Sequence, residues 1–225
     1  MPNRVDFDKY TDNYNQLLRE STGFFSKNDA YFARYKVELM KSRLGRPVKK
    51  ILEYGCGIGR NIPFLREAFP QSEVVGTDLS RASLEIARQG QPDVEFLDES
   101  DGASNLGLFD LIFVAGVYHH VPIIERAHVS NLLYKRLHQS GDLFVFEHNP
   151  YNPVTRRIVS NCPYDDDAVL LSPKELKGYL VSEGFRYHRT EYCLFVPPSF
   201  TRLAWLEPRL GWLPLGGQYF VHVSK

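Results

Sequence analysis

The run Ile51-Leu-Glu53-Tyr-Gly55-Cys-Gly57-Ile-Gly59 carries a buried-strand pattern straight into a glycine-rich turn and then a helical pattern. Asp78 follows 19 residues after Gly59, at the end of Val74-Val-Gly-Thr. Glycine at these positions lets the backbone take unusual dihedrals and lets a ligand come close where a Cβ would intrude. A carboxylate at the end of the second strand can accept hydrogen bonds from both hydroxyls of a ribose. The combination predicts a nucleoside site. Its spacing is GxGxG, with Arg60 where a dinucleotide fingerprint needs glycine, so the expected ligand is one nucleoside bearing a short zwitterionic tail rather than a pyrophosphate.

A second group of residues has the chemistry of proton transfer. His119, His120 and His148 stand just beyond predicted strand ends, where open α/β sheets bind ligands, and histidine is the natural general base near neutral pH. Glu147 and Asn149 close the fifth strand, where they either contact an acceptor or cap the strand. The stretch from His148 to Asp167 is read as a long, functional loop, with Arg156 and Arg157 available to a substrate carboxylate or phosphate. Three adjacent aspartates, Asp165 to Asp167, cannot all face one ion, and Cys56, Cys162 and Cys193 form no CxxC pair; no metal site is expected. P-loop, HExxH and GxSxG motifs are absent from the sequence.

The elements that position these residues follow from periodicity. Phe7, Tyr10, Tyr14, Leu17 and Leu18 fall on one helical stripe, and Tyr31, Phe32, Tyr35, Leu39 and Met40 on a second that ends at Gly45-Arg-Pro47. From Lys49 to about Glu147, short apolar runs alternate with helical patterns, the signature of a mostly parallel sheet. Strands are predicted at Lys50 to Tyr54, Glu73 to Thr77, Val94 to Leu97, Asp110 to Ala115 and Leu143 to Glu147, with helices near Asn61 to Ala68, Arg81 to Gln89 and Ile123 to His138. Ser172 and Pro173 start a helix that reaches Glu183. Two β-rich runs, Phe185 to Val196 and Gly217 to Val223, can pair as an antiparallel edge around a proline-rich loop, Pro197 to Gly216.

The 225 residues suit one domain with an extension, and 43% hydrophobic with 24% charged residues is ordinary for a globular core. Basic and acidic residues balance at 27 each, which makes nucleic acid a poor partner. The longest apolar run, Leu111 to Tyr118, is far too short to span a bilayer. Three unpaired cysteines and an N-terminus without a signal-like segment lead to the expectation of a cytoplasmic protein.

Around these motifs the chain resembles the class I S-adenosylmethionine-dependent methyltransferases, over about Lys49 to Glu147. The resemblance implies a Rossmann-like α/β fold, a doubly wound seven-stranded sheet of order 3-2-1-4-5-7-6, mostly parallel with a C-terminal antiparallel edge. Residues 1–46 would form a helical cap or lid and 47–225 the α/β domain, with acceptor-binding insertions in 151–216. It implies S-adenosylmethionine as cofactor, contacted by Glu53, Gly55, Cys56, Gly57 and Gly59, by Asp78 and Leu79 at the ribose, and by the Ala115 carbonyl near the methionyl end. One acid among Asp98, Glu99 and Asp101 would hold the adenine amino group, with Glu99 and the Ser100 backbone preferred. Tyr14 would close over the cofactor and Tyr10 over the substrate; Glu147, Asn149, Arg156 and Arg157 would meet the acceptor. The implied reaction is methyl transfer to oxygen, nitrogen or carbon of a small molecule. Two alternatives share the cofactor: transfer or cyclisation of its aminocarboxypropyl chain with release of methylthioadenosine, and a non-catalytic module that binds the nucleoside.

Overall fold

The computed structural model describes residues 25–26, 30–101 and 106–225. Tyr10 and Tyr14, and the helical stripe they belong to, lie outside the described residues. Helix α1, Tyr31–Arg43, is followed by β1, Lys50–Tyr54; α2, Ile62–Ala68; β2, Glu73–Asp78; α3, Arg81–Gly90; β3, Glu95–Asp98; and β4, Phe109–Ala115. Then come α4, Arg126–Arg136; β5, Leu137–His148; α5, Pro153–Ser160; α6, Pro173–Ser182; β6, Arg186–Cys193; and β7, Gln218–Ser224.

The seven strands form one sheet in the order β3-β2-β1-β4-β5-β7-β6, with β7 antiparallel to both its neighbours and the other pairs parallel. β4 explains why the centre is parallel and covered twice. Leu111 and Phe113 pack on one face while Ile112 and Val114 pack on the other, and all four are fully buried, the uninterrupted apolar reading of a strand buried on both sides. On the first face lie Val37 and Met40 of α1, Leu65 of α2 and Leu84 of α3; on the second lie Leu133 of α4 and Leu176 and Leu180 of α6. Side-chain caps fix three helix starts: Ser80 accepts from the Ser83 amide, Asn152 from those of Val154 and Thr155, and Ser172 forms a reciprocal capping box with Glu175.

Three stretches differ from the sequence reading. The supposed loop from His148 to Asp167 contains α5, because Asn152 caps a helix whose first residue is Pro153. The proline-rich stretch 197–216 contains a 3-10 segment, Thr201–Arg209, moored by Glu207, which accepts from the Leu194 and Val196 amides and from the Tyr35 hydroxyl. The helix read through His138 stops at Arg136 and is preceded by a separate 3-10 turn, Ile123–Glu125. Leu137 instead opens β5, in register with Phe109.

Candidate active site

The glycine turn leaves β1 and is stitched back to β2. The amides of Gly55 and Cys56 donate to the Thr77 carbonyl, and the Gly57 amide donates to Asp78 Oδ2 at 2.7 Å. The other Asp78 oxygen accepts from the Ser80 amide at 2.9 Å. Burial raises the Asp78 pKa against the pull of these amides. Gly57 has φ +52° and nothing within 4 Å of where a Cβ would be, so the turn opens toward empty space. Gly55 is different in kind: its Cβ would run into Val117, and glycine is needed there for packing. Leu79, the residue after Asp78, leaves its apolar side chain 49% exposed.

Glu53 is buried at the end of β1. Asn61 Nδ2 donates to its Oε1 at 2.5 Å, while Oε2 is buried with no hydrogen-bond partner. Burial pushes its pKa up to about 8, against Asn61 and Lys36. Lys36 reaches in from α1, and burial together with the Arg60 charge brings its ammonium down to about 8. An orphaned carboxylate oxygen with an ammonium group nearby, itself close to the Arg60 charge, is complementary to an amino-acid zwitterion.

At the ends of β4 and β5 the histidines gather. The ring centroids of His119 and His120 are 4.1 Å apart, and those of His119 and His148 are 5.0 Å apart. Glu147 Oε1 accepts from the amides of Val117 and Tyr118, which aims Oε2 at His119 Nδ1, 2.6 Å away. Burial alone would lower the His119 pKa, but Glu147 and Asp165 overcome it and raise it to about 9. His148, buried next to that charge, falls to about 4. Asp165 and Asp167 arrive from the segment after α5. That segment is fastened across the site by the Val169 amide, which donates to the His119 carbonyl at 2.8 Å, and by Arg126, which donates to the carbonyls of Val121 and Val169.

Other predicted residues hold structural positions. Asn149 is fully buried, donating to the carbonyls of Pro214 and Gly216 and accepting from the Tyr151 amide, so its side chain staples the 214–217 stretch to the end of β5. Glu99 is held bidentate by Arg136, at 2.6 and 2.9 Å. The Ser100 amide donates to Asp98, which also pairs with Arg81. Arg156 and Arg157 lie exposed on α5, and Asp166 faces outward while Asp165 and Asp167 turn toward the histidines.

Comparison with known proteins bears on this arrangement. Residues 52–143 match a sequence family described as a methyltransferase domain. A trans-aconitate 2-methyltransferase of Azoarcus is 31% identical over 114 residues, covering 50% of this chain and 44% of the relative. Among solved structures, an S-adenosylmethionine-dependent methyltransferase of Thermotoga maritima shares the fold with a TM-score of 0.66 at 22% identity, covering 97% of this chain and 98% of that one. A TehB-like methyltransferase of Corynebacterium glutamicum gives 0.63 at 17% identity, over 96% and 98%.

Over residues 52–143 the chain is similar in sequence to a methyltransferase domain, and its fold is that of S-adenosylmethionine-dependent methyltransferases.

Solved structures that share this fold hold S-adenosylmethionine or S-adenosylhomocysteine, and the corresponding end of the sheet here has an open glycine turn, a buried acid at the end of β2 and an orphaned carboxylate oxygen. The chain spans less than half the length of the curated relatives it matches. Sequence reasoning does not find three contributors to this site. Lys36 lies off the apolar stripe of its helix, where a polar residue carries no local signal, and nothing in the spacing links Asp165 and Asp167 to histidines some 45 residues earlier.

Proposed function

We propose that the protein transfers the methyl group of S-adenosylmethionine to a small-molecule acceptor bound over the ends of β4 and β5. The bound cofactor supplies a methyl group on a sulfonium, whose departure leaves a neutral thioether, so the protein's task is to align donor and acceptor and accept a proton where the acceptor carries one. In this reading Asp78 binds the ribose diol, Leu79 lies against the base, Glu53 takes the amino group and Lys36 with Arg60 the carboxylate. The single observation that carries it is the convergence of the Asp78–Gly57 cradle and the His119–Glu147 pair on one end of the sheet.

Three histidines, His119, His120 and His148, stand where an acceptor proton would leave. Glu147 holds His119 by Nδ1, which presents Nε2 to the site. Residues 151–216 supply the acceptor wall, with Asp165 and Asp167 its contribution to the histidine cluster. A small acceptor is favoured by this enclosed polar cluster and by the small-molecule methyl acceptor named for the relatives. The test is to incubate the protein with S-adenosylmethionine alone and with pooled metabolites, reading nucleoside products by mass spectrometry. Acceptor-dependent S-adenosylhomocysteine is expected; methylthioadenosine would overturn methyl transfer in favour of aminocarboxypropyl chemistry, and binding without turnover across the pools would overturn catalysis.

A further inference from the structure

The histidine cluster has a geometry that acid–base chemistry alone does not require. His119 Nδ1 is engaged by Glu147 at 2.6 Å and His120 Nδ1 by Asp167 at 2.9 Å. With each Nδ1 turned to its own carboxylate, both rings direct Nε2 toward the same oxygen. Asp165 Oδ1 lies 3.6 Å from His119 Nε2 and 3.4 Å from His120 Nε2. These separations are longer than ordinary hydrogen bonds. They match the ligand-to-ligand edge of a tetrahedron around an ion with bonds of about 2.0–2.2 Å, which works out at roughly 3.3–3.6 Å. One ligand atom from each of His119, His120 and Asp165 falls within 4.8 Å of the others.

We infer that His119 Nε2, His120 Nε2 and Asp165 Oδ1 bind a divalent transition-metal cation of the zinc type, leaving a coordination position open to a ligand. Two imidazoles and a carboxylate are a donor set that such ions favour, and three protein ligands with an open position distinguish a reactive site from a structural one. The carboxylates behind the rings complete the pattern. A histidine ligand normally donates its second ring N–H to a carboxylate, which fixes tautomer and orientation; Glu147 and Asp167 do this for His119 and His120 in parallel. Glu147 is itself fixed by the amides of Val117 and Tyr118. The expectation that three aspartates cannot share an ion survives in altered form: one aspartate faces the ion position, one supports a ligand, and Asp166 points away.

A second trio, Asp142, His188 and His222, has a different character. There His222 Nε2 meets Asp142 at 2.7 Å and His188 Nε2 meets the Ser224 hydroxyl at 2.8 Å, so the donors satisfy one another. It serves as the internal control. The use of the ion rests on the methyl-transfer reading: an acceptor oxygen or nitrogen on the open position would lose its proton more readily, as water does on zinc.

The test is metal binding by the full chain, freed of metal by dialysis against a chelator and titrated with Zn2+ in competition with a chromophoric chelator. One equivalent is expected to bind with submicromolar affinity, and Co2+ in its place to give the visible bands of a four- or five-coordinate ion. Asp165→Asn and His120→Ala should each weaken binding at least tenfold, Glu147→Gln and Asp167→Asn by about 10–100-fold, and His188→Ala should leave it unchanged. Metal-free melting temperatures establish that each variant folds; if His120→Ala does not, Asp165→Asn decides. Failure of the wild-type chain to bind Zn2+, Mn2+ or Fe2+ more tightly than millimolar overturns the site, as does binding that survives Asp165→Asn but not His188→Ala. S-adenosylmethionine affinity, measured on the same preparation, separates the two readings. Cofactor binding without metal binding removes the ion and leaves methyl transfer; metal binding without cofactor affinity keeps the ion site and removes its use.

Discussion

Asp78→Asn is the most direct perturbation of the cofactor site, because the structure states what the carboxylate is doing before any ligand arrives. Each oxygen already accepts one backbone N–H, from Gly57 at 2.7 Å and Ser80 at 2.9 Å. A carboxylate has about four lone-pair sites, so two remain, enough for a ribose diol. The amide is nearly isosteric but keeps only one accepting oxygen. It therefore loses one ionic bond to the ribose and sets an NH2 group against either the diol or a turn amide. A hydrogen bond to a charged group contributes about 1.5–3 kcal/mol, which corresponds to an affinity loss of roughly 10- to 150-fold. Isothermal titration with S-adenosylmethionine and S-adenosylhomocysteine measures it, with Asp98→Asn as a comparison expected to change little, since Asp98 is held by Arg81 and Ser100. An Asp78→Asn protein that folds and binds within twofold of wild type would refute the ribose assignment.

Gly57→Val should abolish cofactor binding while the fold survives, because a side chain there enters open space and meets only the ligand, at a backbone cost of about 1–2 kcal/mol; retained binding would mean that the turn opens elsewhere. Glu53, with its pKa raised to about 8 by burial, is largely protonated at pH 7 in the empty site and must ionise to receive an ammonium group. Binding should release that proton, so affinity rises with pH between about 6 and 7.5, by at most about tenfold per unit; titration in buffers of differing ionisation enthalpy reads the proton directly, and Glu53→Gln should remove the dependence. Asn152→Ala deletes the cap of α5 and the bond to the Leu215 carbonyl and should lower unfolding stability by about 1–2 kcal/mol in a urea titration; no change would mean that α5 is held by its packing alone.

The central strands were legible because their burial on two faces leaves an unbroken apolar signature, as in Leu111 to Val114. Asp78 and the glycine turn were legible because their partners are close in sequence or one strand away. Less was visible where two signals competed. Asn152-Pro153 is a helix-start pair, but the surrounding Asn and Pro residues also read as loop, and α5 was lost. Leu137 to Ser140 continue the polar texture of α4, and only pairing with Phe109 assigns them to β5. Lys36 and the Asp165 carboxylate depend on tertiary placement that no local pattern encodes. Asn149 shows the converse: a polar residue at a strand end reads equally as an acceptor contact or a cap, and its amide is engaged with three backbone groups.

The sheet's strand order also sets a schedule for biosynthesis. β6 leaves the ribosome before β7 yet occupies the outer position, and among the described residues its only neighbour in the sheet is β7. Until Gln218–Ser224 emerges, β6 has no strand to pair with and β5 presents a bare row of amides and carbonyls along its edge. Such an edge is a template for pairing with another chain. The nascent chain is therefore at its most aggregation-prone late in translation, with six of the seven described strands already made, and C-terminal truncations that remove β7 should yield insoluble protein rather than a smaller folded domain.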